Sequence, residues 1–331
     1  MTKLRLGILG TARVVSRRIV PAVAQTSNVT LVAIASRAEA RAREFAETNG
    51  IPKAYGNYEA LLADPDVEAV YNPLPNSLHA EWTIRAARAG KHVLCEKPFA
   101  ANCAEAEAML AVCDAQRVLL MEAFMYRFHP QTEKVLELAR VGAIGAVKLV
   151  RAVFCFTLDR VGNFRFDPAY AGGSLMDVGC YCVHAIRAIV GAEPTHVSAF
   201  AQWVNGVDET MTGLLHFADD TLGAFECSFN AAYRSHYEII GERGRIEVVI
   251  PFITNNRATR IWLHHANEQS EPFDFPPVDP YALMLEHFAD SVLRQKPLRY
   301  PPSDSLAQQR VLEALLTAAH THRVTPITHS V

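Results

Sequence analysis

Leu4-Arg5-Leu6-Gly7-Ile8-Leu9-Gly10-Thr11-Ala12-Arg13-Val14-Val15 is the stretch that decides the fold. Leu4 to Leu9 is a short apolar run that reads as a buried strand, and from Val14 to Ala24 the apolar positions take up helical spacing. Gly10 marks the turn between them. Where a G-x-G-x-x-G fingerprint would place three glycines, only this first one is present, and Ala12 stands at the second position. A glycine at the turn and a helix N-terminus behind it are what a pyrophosphate needs. Gly10, Thr11, Ala12 and Arg13 are therefore the first candidate cofactor-binding residues.

Outward from this turn, strand patterns at Val29 to Ala35, Val67 to Tyr71, His92 to Cys95 and Val118 to Glu122 alternate with helical patterns. The helical patterns cover Ala38 to Thr48, Tyr58 to Leu62, Ser77 to Ala89 and Ala104 to Gln116. The alternation predicts an α/β fold whose first domain, residues 1–122, is a Rossmann-type doubly wound parallel sheet. After about residue 145 the pattern changes to consecutive strands: Val147 to Leu158, His196 to Trp203, Thr210 to Phe217, Leu222 to Asn230, Tyr237 to Ile240 and Arg245 to Val249. These predict a C-terminal α+β domain, residues 123–331, built on a large open antiparallel sheet. Helices Leu175 to Val190 and Tyr281 to Arg294 are expected to flank it. A last helix, Ser303 to His322, could pack back on the first domain.

At 331 residues the chain is long enough for two hydrophobic cores. Its formal charge of -3, with no block of like charges, argues against a nucleic-acid partner and for a small neutral or anionic ligand. The first apolar run is too short for a signal sequence, and no stretch is seen near the roughly 18 apolar residues a bilayer needs. A cytosolic, membrane-free protein is expected. The seven cysteines are odd in number and lack C-x-x-C spacing, so they read as buried hydrophobes rather than disulfides or a zinc ribbon. His79, His129, His184, His264 and His265 lack zinc-helix spacing, and no metal is expected.

The second strand ends Ile34-Ala35-Ser36-Arg37, where NAD-specific folds commonly carry an acid for the ribose diol. A hydroxyl and a guanidinium suit a phosphate instead. Ser36, Arg37 and Arg41, with Arg13, thus predict NADP(H) in preference to NAD(H).

Further along stand Tyr71-Asn72-Pro73-Leu74-Pro75-Asn76-Ser77-Leu78-His79 and Ala89-Gly90-Lys91-His92-Val93-Leu94-Cys95-Glu96-Lys97-Pro98. In these the chain resembles the glucose-fructose oxidoreductase/inositol dehydrogenase family, from residue 3 to the final strands. Met125-Tyr126-Arg127-Phe128-His129-Pro130 and Gly179-Cys180-Tyr181 look like the branch of dimeric dihydrodiol dehydrogenases, NADP-dependent xylose dehydrogenases and sugar ketoreductases. The resemblance implies a nicotinamide lying along Glu96-Lys97-Pro98 and a C-terminal sheet that packs subunits together. Tyr181 stands where the inositol-type branch has histidine, which argues against a plain inositol dehydrogenase.

Oxidising an alcohol removes a hydride and a proton, and the protein must receive the proton. Tyr181 is the candidate. A free phenol has a pKa near 10, so about 4 kcal/mol is needed to make it a base at neutral pH. One ammonium about 4 Å away supplies roughly that much at an effective dielectric near 20. Lys97 is the candidate ammonium. Asp177, Tyr181 and His184 fall at i, i+4 and i+7 of one predicted helix face, with Ser174 as its expected N-cap and Gly172-Gly173 allowing close approach. Asp177 would bind the substrate hydroxyl or orient Lys97, and His184 would line the substrate.

Pro73, Leu74, Asn76 and His79 follow the strand Val67 to Tyr71, where a Rossmann crevice opens, and are assigned with Glu96 and Lys97 to the cofactor. Asn76 also reads as a helix cap. Arg127, His129 and Arg165 lie among aromatic residues, a mixture that suits a polyhydroxylated ring. The leading expectation is an NADP(H)-dependent oxidoreductase acting on a sugar or cyclic polyol. Its rivals are a non-catalytic NADP-binding regulatory protein and a nicotinamide-assisted glycosidase. An open apolar sheet face would aggregate, so a homodimer or homotetramer is expected.

Overall fold

The computed structural model describes residues 2–327. They form two compact units, one holding the chain as far as Met125 together with Asp279–Leu306, the other Tyr126–Val278 and the chain from Ala307 on.

The first unit is built on six strands: β1 (Leu4–Leu9), β2 (Val29–Ala35), β3 (Lys53–Tyr55), β4 (Ala69–Asn72), β5 (His92–Cys95) and β6 (Leu120–Glu122). All pair in parallel, in the order β3-β2-β1-β4-β5-β6. Helices α1 (Val20–Gln25), α2 (Glu39–Asn49), α3 (Tyr58–Ala63), α4 (His79–Arg88) and α5 (Cys103–Ala115) connect them. Both sheet faces are covered, so Leu6, Ile8, Ile34, Val70, Val93 and Leu94 are all fully buried, as a parallel sheet requires. Asn57 and Asn102 start α3 and α5 by accepting the backbone N–H groups of Ala60 and Glu105. The strand order reverses between β1 and β4, which opens a crevice beyond their C-terminal ends.

The second unit contains α6 (Pro130–Arg140), β7 (Val147–Cys155), α7 (Cys180–Val190), β8 (His196–Val204), β9 (Val207–His216), β10 (Leu222–Ser228), β11 (Arg234–Gly241), β12 (Gly244–Val248), β13 (Thr259–His265) and β14 (Ser270–Phe275). With the short β15 (Thr325–Pro326), these strands form one sheet in the order β14-β13-β12-β11-β7-β10-β9-β8-β15. The sheet is mixed rather than purely antiparallel, because β10 returns alongside β7 in parallel while every other pair is antiparallel. Helix α7 packs on β7 and β10. The opposite face leaves Phe200, Leu214 and Leu222 exposed, at 69%, 53% and 46%. Toward β11 and β12 that face turns ionic, with Arg245 bonded to both Glu238 and Glu247.

Helix α8 (Pro280–Arg294) packs against α1, β1 and β2 of the first unit and does not flank the second sheet. Asn28 binds its Glu286 carbonyl and Asp290 carboxylate at 3.0 and 2.9 Å. Helix α9 (Pro302–Thr321) enters the second unit from Ala307 onward, where Leu315 lies over Gly213 of β9. One helical stretch, Pro168–Val190, is long and apolar enough to cross a membrane by length and composition alone. Of its most apolar 18-residue window 83% is buried, which is the environment of a core helix.

Candidate functional site

In the first unit, three segments converge at the end of β1. Gly10 has φ +93°, and its N–H donates to the Ala35 carbonyl at 2.8 Å. A Cβ there would press on Leu74 Cδ2 at 3.0 Å and approach the Tyr58 hydroxyl at 3.8 Å. The glycine therefore keeps open a cradle that a side chain would fill. Thr11 and Ala12 line its rim half-buried, Arg13 is exposed, and Ser36 is buried with its N–H on the Tyr55 carbonyl.

Arg37 and Arg41 are exposed on the same side, since both guanidinium charges act on Tyr58. Burial pushes the Tyr58 phenol up and the two arginines draw it back. Neither arginine has an ion-pair or hydrogen-bond partner among the described residues.

Across the crevice, Pro73 and Leu74 are buried, and Asn76 opens a separate 3-10 turn, Asn76–Leu78, ahead of α4. That extra turn displaces Asn76 from the capping position expected of it. His79 is fully buried, with Nδ1 2.8 Å from the Pro98 carbonyl and Nε2 2.8 Å from the Leu74 carbonyl. It ties two loops together, and burial holds its pKa down to about 4. Both ring nitrogens therefore face protein carbonyls. The Lys97-Pro98 peptide is cis. Beside it Glu96 receives the Tyr71 hydroxyl at 2.5 Å and the Lys97 N–H at 3.2 Å. Tyr281, at the start of α8, stands close enough to Glu96 that the carboxylate, after burial, raises its phenol. Lys97 itself is half-buried.

In the second unit, the helix that carries Asp177, Tyr181 and His184 begins with a wide π-helical turn, Leu175–Gly179, before α7. Asp177 accepts a bond from Arg165 Nε at 2.9 Å. Tyr181 is 4% exposed and sits among Tyr126, Phe154 and Phe252, with ring centroids 5.6, 5.7 and 5.3 Å away. His184 shares a hydrogen bond with the Tyr126 hydroxyl through Nδ1. Tyr126 thus touches both Tyr181 and His184, while Asp177 faces Arg165.

Ser174 is not the helix cap. It already has helical backbone angles, and its hydroxyl donates to Asp208 at 2.7 Å. His129 is fully buried and caps α6, accepting the Gln131 N–H at 3.1 Å, and burial lowers its pKa to about 4. Arg127 is likewise buried, at 4% exposure.

Sequence reasoning missed Asp208, Tyr126, Tyr71 and Tyr281. Tyr126 lay inside a quoted motif, but no local pattern links Asp208 to a helix start 33 residues earlier.

A doubly wound parallel sheet with a glycine cradle at its switch point, joined in one chain to a mixed open sheet, defines a two-domain protein of the dinucleotide-binding class. Residues 4–124 match the oxidoreductase family with an NAD-binding Rossmann fold, GFO_IDH_MocA, and residues 132–247 match the GFO/IDH/MocA C-terminal domain. The chain is similar to D-xylose 1-dehydrogenase (NADP(+)) 2 of Haloferax volcanii, 42% identical over 95% of this chain and 97% of that one. It is 34% identical to trans-1,2-dihydrobenzene-1,2-diol dehydrogenase of Oryctolagus cuniculus over 86% of this chain and 88% of the relative. The crystal structure of a 3-ketoreductase from Actinomadura kijaniata, in complex with NADP and TDP-benzene, superposes with a TM-score of 0.91 at 33% identity, covering 96% and 98% of the two chains. The chain belongs to the glucose-fructose oxidoreductase/inositol dehydrogenase family and is an oxidoreductase.

Proposed function

We propose that the protein transfers a hydride between NADP(H) and the carbinol or carbonyl carbon of a sugar or similar cyclic polyol, with Lys97 and Tyr181 handling the proton. The observation that carries the cofactor choice is the pair of unpartnered guanidinia, Arg37 and Arg41, beside Tyr58 at the Gly10 cradle. Those residues, with Thr11, Ala12, Arg13 and Ser36, would hold the adenosine 2′-phosphate and the pyrophosphate. When bound, the nicotinamide accepts or donates the hydride.

The chain's own residues account for the rest. Glu96, fixed by Tyr71, sets the backbone from which Lys97 projects. Tyr181 takes the proton of the alcohol during oxidation and returns it during reduction. Its aromatic surround offers a phenolate no solvent, so the charge must be met by a cation, and Lys97 has that role. Asp177, oriented by Arg165, accepts a substrate hydroxyl.

The substrate class is supported by the relatives, among them a xylose dehydrogenase and a 3-ketoreductase. A cytosolic setting accords with seven free cysteines. The exposed Phe200, Leu214 and Leu222 on the sheet favour a homodimer or homotetramer through that face.

The test is to follow reduced-nicotinamide absorbance with NADP or NAD and a panel of aldoses, ketosugars and cyclic diols. Turnover with at least one panel member, faster with NADP, is expected. Binding of NADP with no turnover on any member would contradict the proposal.

A further inference from the structure

The start of the Asp177–Tyr181 helix has no capping side chain of its own, because Ser174 is already helical. Its first turn is held instead by a carboxylate from β9. Asp208 is 1% exposed, and its Oδ2 accepts both the Ser174 hydroxyl and the Leu175 N–H at 2.7 Å. From this geometry we infer that Asp208 is a positioning residue, fixing the turn from which Asp177 and Tyr181 are presented to the substrate; the inference rests on the proposed role of those two side chains.

Two neighbouring features fit this arrangement. Gly173 has φ +115°, and a Cβ on it would overlap the Asp208 carboxylate. Gly172 has no room for a Cβ against the Arg165 carbonyl, which also accepts the Gly173 N–H at 2.8 Å. Arg165 therefore holds the entrance of the helix with its backbone and Asp177 with its side chain, while Asp208 holds the residues between. Removing the carboxylate frees the turn at its centre.

No cation pairs with Asp208 among the described residues. The groups around it are the Cys227 thiol, 3.3 Å from the Ser174 oxygen and kept neutral by burial, and Glu209, which is engaged by Arg160. Burial pushes the Asp208 carboxyl up to about 6, so the clamp is a carboxylate at neutral pH and a neutral acid below that. An asparagine has the shape and the single acceptor of the neutral acid.

The experiment uses the full chain with Asp208→Ala and Asp208→Asn. Hydrogen exchange of the amides from Leu175 to Tyr181 is read without substrate, alongside turnover against pH. In Asp208→Ala, protection of that segment should fall at least tenfold while β1 and β5 keep theirs, and kcat should fall at least tenfold with the dissociation constant for NADPH unchanged. Asp208→Asn should restore only part of the protection, because a neutral amide accepts weaker bonds than a carboxylate, and give a kcat that no longer changes between pH 5 and 7 through this group. Unchanged protection in Asp208→Ala, or a wild-type acid limb in Asp208→Asn, would overturn the inference. If Asp208→Ala does not fold, the Asn variant alone decides. Should the wild type turn over no sugar, the proposed function fails, while the exchange data still judge the clamp.

Discussion

Arg165 Nε donates to Asp177 Oδ2 across 2.9 Å, in a pair whose side chains are 34% and 13% exposed. The carboxylate is thereby aimed before any substrate arrives. Arg165→Met should raise KM for the sugar about tenfold, which is ~1.4 kcal/mol, and leave NADPH binding unaltered. Steady-state kinetics with fluorescence titration of NADPH check this; an unchanged KM would remove Arg165 from substrate positioning.

The two unpartnered arginines beside Tyr58 make a second prediction. Replacing both Arg37 and Arg41 by Ala should weaken NADP(H) binding by about a hundredfold or more, on the order of 3 kcal/mol for two charge-assisted contacts. Binding of NAD(H) should change less than threefold. Equal loss for both cofactors would place the 2′-phosphate elsewhere.

Acid should destabilise the protein through its buried imidazoles. His79 and His129 have folded pKa values near 4 against 6.5 for the free group. Between those values the unfolded chain binds the extra protons, so their contribution to stability is present above pH 6.5 and lost as pH falls toward 4. Asp208, raised to about 6, opposes them over part of that window, because its ionised form is disfavoured in the fold. His129→Asn keeps a side chain that can cap α6 and removes one titration. The urea midpoint of this variant should therefore fall less steeply than wild type between pH 6.5 and 4; parallel slopes would contradict the assignment.

The exposed Phe200 and Leu214 lie on neighbouring strands of the open sheet face. Phe200→Glu combined with Leu214→Glu should convert the proposed homodimer or homotetramer to monomers at micromolar concentration, read by sedimentation. A wild-type assembly state in this variant would move the interface to another surface.

Much of the Rossmann half was legible in the sequence, because fully buried strands such as Leu4–Leu9 and His92–Cys95 announce themselves as short apolar runs. β3 did not, since all three of its residues are only half-buried. β13 and β14 were missed for a related reason: Arg260, Glu271, Pro272 and Asp274 break their apolar pattern. Helix α8 was recognised but placed on the wrong unit, because an amphipathic face states that it is buried and not against what. At the site, the grouping of Tyr181 with His184 was readable from helical spacing. The wide turn under Asp177 and the clamp from Asp208 were not, because both depend on a contact with a distant strand.

The central claim is that Lys97 and Tyr181 together manage the proton that accompanies hydride transfer. Single-turnover absorbance measurements with NADPH and a ketosugar, on wild type, Lys97→Ala and Tyr181→Phe, test it most directly. Each variant should bind NADPH and retain its circular dichroism spectrum while the rate of hydride transfer falls at least tenfold. A hydride-transfer rate within twofold of wild type in either variant would contradict the account.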